Sequence, residues 1–211
     1  MNIRLWLLRI FGISGILFTA AAVYYFRSHD ISQLAYSLSD AVDTDLYSIP
    51  GNFADQNGRV LQLKEFRGQV SIAGFVYLNC RSVCPQIVRN MDFLRQKLET
   101  QRPGKKVRLL LFLFDREKPD AASSSAFFIR HRIDRTRWDL LWTNPETLKT
   151  LTDVFSLEYS VIDETSRSYM HTNLIFVVDA DGFTAGSSYG LKDMEDLSGT
   201  ALRALQSAPD L

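Results

Sequence analysis

Cys80 and Cys84 are the only cysteines of the chain, and three residues separate them in Cys80-Arg81-Ser82-Val83-Cys84-Pro85. Paired thiols at that spacing have three chemical uses. As a structural disulfide they would close a very short loop, which constrains the unfolded chain only modestly. As a redox pair at the start of a helix they would have a thiolate stabilised by the helix N-terminus and so activated for exchange. As metal ligands they would offer two soft sulfur donors of the kind that suits Cu(I). Redox motifs usually place two residues between the cysteines, so the three found here weaken the exchange reading without deciding against it. Arg81 adds a positive charge between the sulfurs and favours thiolate for either use.

A third ligand would tip that balance towards metal, and the chain has three histidines from which to draw one. His29 lies beside an apolar N-terminal run, and His131 sits among charges in Ile129-Arg130-His131-Arg132, so both read as solvated side chains. His171 is placed differently. It ends a polar stretch containing Asp163, Glu164 and Arg167 and directly precedes the apolar strand expected over residues 173–178.

The elements that must position these residues follow from periodicity. Residues 70–77 form a short apolar run suited to a strand buried on both faces, and it leads straight to Cys80. Pro85 fits the first turn of a helix, and Ile87, Met91, Leu94 and Leu98 follow at helical spacing, so a helix is expected from Pro85 to about Thr100. Further elements are a strand over 107–114, a helix around 124–133, a helix opened by Pro145, strands over 173–178 and 183–189 about an Asp179-Ala180-Asp181-Gly182 turn, and a closing helix over about 192–205. The order is thioredoxin-like with an inserted helix, an α/β fold with a central mixed sheet flanked by helices. In such a sheet the loop before the strand at 173 lies next to the start of the first helix, which brings His171 towards the two thiols.

Composition sets the wider frame. With 24 basic and 24 acidic side chains the net charge is zero, which argues against nucleic-acid binding, where an excess of Lys and Arg is normally needed. Residues 10–26 carry no charge, follow Arg4 and Arg9, and would make a helix roughly 26 Å long, close to the hydrocarbon thickness of a bilayer. The basic flank keeps the N-terminus in the cytoplasm and sends the rest of the chain across the membrane. The bulky Val23-Tyr24-Tyr25-Phe26 favours an uncleaved anchor over a signal peptide cut after Thr19-Ala20-Ala21-Ala22. The organisation expected is an anchor or signal segment over 1–28, a stalk over 29–50 and one domain over 51–211, located on the periplasmic side of a bacterial inner membrane.

The sequence also resembles a known family. Gln56-Asn57-Gly58, Leu63-Lys64-Glu65-Phe66-Arg67-Gly68, Phe75-Val76-Tyr77, the Cys80–Cys84 motif, Trp138-Asp139-Leu140-Leu141 and Tyr169-Met170-His171-Thr172-Asn173 occur in the order and spacing of the Sco/SenC copper proteins. The resemblance implies copper, as Cu(I) or Cu(II), held by Cys80, Cys84 and His171. It implies a role in preparing the copper centre of a respiratory cytochrome c oxidase, with the copper-accepting oxidase subunit and a thiol reductant as partners. Asp115 matches the first acid of a family motif and would orient or tune the site from behind the ligands; the loop after it, Arg116-Glu117-Lys118-Pro119-Asp120, departs from the family pattern. The alternative reading is a membrane-anchored thiol-disulfide oxidoreductase that uses the same Cys80 and Cys84 to reduce a partner's cysteines.

Overall fold

The computed structural model describes residues 45–105, 107–155, 157, 159–163, 168–171, 173–189 and 194–209. A short hairpin of β1 (Phe53–Ala54) and β2 (Val60–Leu61) precedes the main elements. These are β3 (Ser71–Val76), α1 (Cys84–Gln101), β4 (Arg108–Leu113), α2 (Ala121–His131), β5 (Trp138–Leu141) and α3 (Pro145–Val154). There follow β6 (Tyr159–Asp163), β7 (Ser168–His171), β8 (Leu174–Val178), β9 (Thr184–Tyr189) and α4 (Met194–Ser207).

Five strands form one mixed sheet in the order β5-β4-β3-β8-β9. The first three are parallel, with Ser71 opposite Arg108 and Leu109 opposite Trp138; β8 runs antiparallel to β3, with Gly74 opposite Ile175. Every residue of β3 is buried, as the apolar run predicts for a strand covered on both faces. Around Phe75 the rings of Phe112, Phe114, Phe155 and Phe176 lie with centroids 5.4 to 6.3 Å away, a spacing at which aromatic pairs gain beyond their buried area. On α1 the predicted stripe Ile87, Met91, Leu94 and Leu98 is wholly buried. Gly74 lets that stripe come close: a Cβ there would stand 3.1 Å from Met91 Sδ and 3.2 Å from Ile87 Cγ2. The helix start, and with it Cys84, is thereby set at the C-terminal end of β3.

Several expectations are revised by the structure. Residues 138–141, read from sequence only as a motif, form the edge strand β5, too short to show a period. Its outer edge is plugged by the Gln56 amide, which accepts from Leu140 N–H at 2.9 Å and donates to the Trp138 carbonyl at 3.2 Å. The second helix starts at Ala121, earlier than expected, because Asp120 caps it by accepting from Ser123 N–H at 2.7 Å. The chain before residue 51 is already part of the fold: Leu46 and Tyr47 are buried, and the Tyr47 hydroxyl lies 2.8 Å from Ser71 Oγ. Gly182, at φ 102°, gives the β8–β9 turn room for this segment, since a Cβ would collide with the Asp45 carboxylate. The charge-free run at 10–26 lies outside the described residues, and among the described residues no helix is long and apolar enough to cross a membrane.

Candidate metal centre

After β3 the chain turns at Tyr77, whose carbonyl accepts from Cys80 N–H at 3.1 Å, and reaches α1 at Cys84. The peptide unit around Leu78 is held from both sides. Its N–H donates to Asp115 Oδ2 at 2.9 Å, and its carbonyl accepts from the Arg130 guanidinium at 2.7 Å. Asp115 follows β4 and is buried, and its own carbonyl takes the Trp142 indole N–H at 2.9 Å. The acid assigned from sequence to a place behind the ligands thus fixes the backbone two residues ahead of Cys80. Arg130, the opposing clamp, was not legible beforehand: an arginine near a helix end carries no sign of which carbonyl it will reach.

Cys80 and Cys84 are joined as a disulfide, with Cα atoms 5.8 Å apart and both side chains buried. Cys84 N–H, the first of α1, points at Cys80 Sγ from 3.2 Å. An unpaired amide at a helix start stabilises negative charge, so on reduction Cys80 is the sulfur favoured as thiolate. The sequence left structural, redox and metal uses open; a bond closing so short a loop, at a helix start built to hold a thiolate, fits the last two better than the first.

His171 is described by its backbone, and its imidazole lies outside the described part of the structure. It does not end an irregular loop, as expected from sequence, but closes β7, opposite Tyr159 of β6. The hairpin was missed because its strands are only five and four residues long and Glu164-Thr165-Ser166-Arg167 between them carries no Gly, Pro or Asn turn signature. Three residues beyond His171 begins β8, whose Ile175 pairs with Gly74 of β3. Since β3 and β8 are antiparallel, the start of β8 lies at the end of the sheet from which β3 leads to Cys80. Topology therefore delivers the backbone of His171 to the cysteine end of the sheet. Asn173, between His171 and β8, has Oδ1 buried without a hydrogen-bond partner among the described residues.

His131 also departs from expectation. It is half-buried, its ring packs against Phe127 with centroids 4.4 Å apart and planes tilted by 49°, and Nε2 is enclosed without a hydrogen-bond partner among the described residues. Burial, reinforced by the neighbouring Arg130 charge, holds its pKa below the usual imidazole value. It lines a cleft of about 550 Å³ that Cys80 and Arg81 also line.

Over residues 41–206 the sequence matches the SCO1/SenC family. The chain belongs to that family. It is 28% identical over 92 residues to the SCO1 protein homolog of Bacillus subtilis, covering 44% of this chain and 47% of that protein, so the match spans about half the length of the relative. The fold is that of solved Sco proteins. Arabidopsis thaliana ScoI with copper bound superposes with a TM-score of 0.63 at 14% identity, covering 74% of this chain and 96% of that one. BsSco, described as a member of the Sco family of cytochrome c oxidase assembly proteins with a disulfide switch, superposes with a TM-score of 0.61 at 21% identity, covering 78% and 97%.

Proposed function

We propose that this protein is a copper chaperone for a respiratory cytochrome c oxidase, binding one copper ion as cargo through Cys80, Cys84 and His171. The observation that carries the reading is the placement of a thiol pair, activated by a helix start, at the end of the sheet to which His171 is returned. Two thiolates and a neutral imidazole are a donor set suited to Cu(I), and a three-coordinate ion leaves by ligand exchange more readily than one in a closed cage. Copper bound to ScoI supports the choice of cargo, and the description of BsSco supports the choice of recipient. Residues 10–26 anchor the chain in the inner membrane with the domain on the periplasmic side.

The disulfide form cannot offer thiolates, so a reductant must open the bond before loading: two electrons and two protons convert the Cys80–Cys84 bond to two thiols. That requirement also supports a second reading, in which the pair reduces a partner's disulfide and is itself reoxidised. Copper affinity and the rate of exchange with a model disulfide, measured on the wild type, His171→Ala and Cys80→Ser, separate the two. The carrier reading expects His171→Ala to weaken copper binding by tenfold or more (order of magnitude, for loss of one ligand of three) while leaving exchange nearly intact, and Cys80→Ser to abolish both. A His171 variant with unchanged copper affinity would sink the three-ligand site, and a wild type that exchanges disulfides yet takes up no copper would establish the oxidoreductase.

A further inference from the structure

The cleft beside Cys80 is lined by more basic than acidic residues. It is lined by one face of α1, carrying Pro85, Val88, Arg89, Asp92 and Arg95, and by residues 130–134 and Trp138. Pro85 to Arg95 spans about 15 Å at the helical rise, so the cleft is a groove that starts at the cysteine turn and runs along the helix. Five arginines, Arg81, Arg89, Arg95, Arg130 and Arg132, line it together with two acids, Asp92 and Asp134. In a chain whose net charge is zero this is a local excess of positive charge.

Two of the five are committed internally. Arg95 pairs with Asp92 and Glu99 at 2.8 Å, and Arg130 holds the Leu78 carbonyl. Arg81, Arg89 and Arg132 are exposed and make no ion pair among the described residues. Arg132 also sits at φ 55°, ψ 43°, the left-handed conformation closing α2, where glycine would be at ease and an arginine is held at a cost of about 1 kcal/mol. Ile133 supplies apolar surface among the charges, with the largely buried Val88 and Trp138 behind it, and the enclosed Nε2 of His131 has no hydrogen-bond partner among the described residues.

We infer that this groove docks an extended, acidic segment of the partner protein, aligning the partner's own cysteine with Cys80. The inference rests on the proposed thiol and copper exchange at Cys80 and names what recognises the partner. Length selects polypeptide over a small thiol: 15 Å accommodates four to five extended residues at roughly 3.3 Å each. Charge selects carboxylates, which guanidinium forks bind in a two-pronged geometry. A groove of arginines repels the free metal cation, so it guides the protein that carries or accepts copper and leaves the ion to the sulfurs.

The test uses the full-length protein in neutral detergent, reduced and free of copper. Its binding to a labelled octapeptide, with serine in the cysteine position and four flanking glutamates, is compared with binding to the same peptide carrying glutamines. The acidic peptide should bind about tenfold more tightly at low salt, with the preference shrinking as salt screens it. The double variant Arg89→Gln, Arg132→Gly should lose most of that preference while keeping wild-type copper uptake, and its fold is safeguarded because glycine suits the left-handed position. Equal binding of both peptides, or a double variant that retains the full preference, overturns the inference. Failure of the wild type to take up copper would count against the chaperone reading alone, because the peptide comparison is made without metal.

Discussion

The thiol half of the site and the histidine half are built by different means. Cys80 leaves the central strand of a five-stranded sheet, and the turn before it is pinned by a buried carboxylate and by a guanidinium from another element. His171 closes a hairpin whose strands, among the described residues, pair only with each other. A two-stranded hairpin is marginal by itself, whereas β3 cannot lose its partners without losing the core. On the proposed three-ligand reading, the contrast teaches how a carrier combines retention with release: two sulfurs stay at a preset place, and the third donor is brought on an element that opens at lower cost.

The largest expected effect is in hydrogen exchange. Amides of β3 and β8 should exchange only through global unfolding, and those of β6 and β7 through local opening, with protection lower by three or more orders of magnitude, an estimate from the gap between global and local opening energies. Equal protection in the two regions would break the comparison. Next in size is the clamp. Asp115→Ala removes the buried acceptor of Leu78 N–H and should cost about 2 kcal/mol, while also weakening copper binding through the displaced turn. Denaturant melts and copper titration of the same variant measure both, and an unaltered copper affinity would show that the turn keeps its shape without the carboxylate. Reduction of the Cys80–Cys84 bond should come third. Closing so short a loop constrains the unfolded chain by at most about 2 kcal/mol, so the reduced protein should melt slightly lower and retain protection at Leu78. Unfolding on reduction would make the bond structural.

The same division governs what could be seen in the sequence. Apolar runs and helical stripes announce β3, β4, β8 and α1 because burial dictates residue type there, and Pro85 marks the helix start that serves Cys84. The cysteines stood out by type and spacing, and Asp115 by its match to a family motif. What escaped depends on reach across space: Arg130 to the Leu78 carbonyl, Gln56 along the edge of β5, and the packing that encloses His131, which its charged neighbours made look solvated. Polar contacts between distant residues leave no period in a sequence, and the strands of the β6–β7 hairpin, five and four residues long, are too short to show one.

The smallest effect, and the one that separates the two histidines, is in pH. Burial and the adjacent Arg130 hold the His131 pKa below its usual value, so the folded protein resists protonation there while the unfolded chain accepts a proton near pH 6.5. The stability that the neutral ring provides is therefore complete above about pH 6.5 and is lost as the pH falls from there through the folded-state value. His131→Gln should melt somewhat lower at about pH 7.5, having lost the Phe127 ring contact, yet lose less stability than the wild type between about pH 6.5 and 5. Copper binding falls with acidity for another reason, protons competing for the thiolates and for His171, and that dependence should persist in the His131 variant. Thermal melts and copper titrations of one variant across one pH series check both. If the wild-type and variant melting curves keep parallel slopes, His131 is not the proton-sensitive wall of the thiol half. If the variant binds copper more weakly than the wild type and with a shallower pH dependence, the imidazole that matters to the metal is His131, and the division of the site between cysteine turn and hairpin fails.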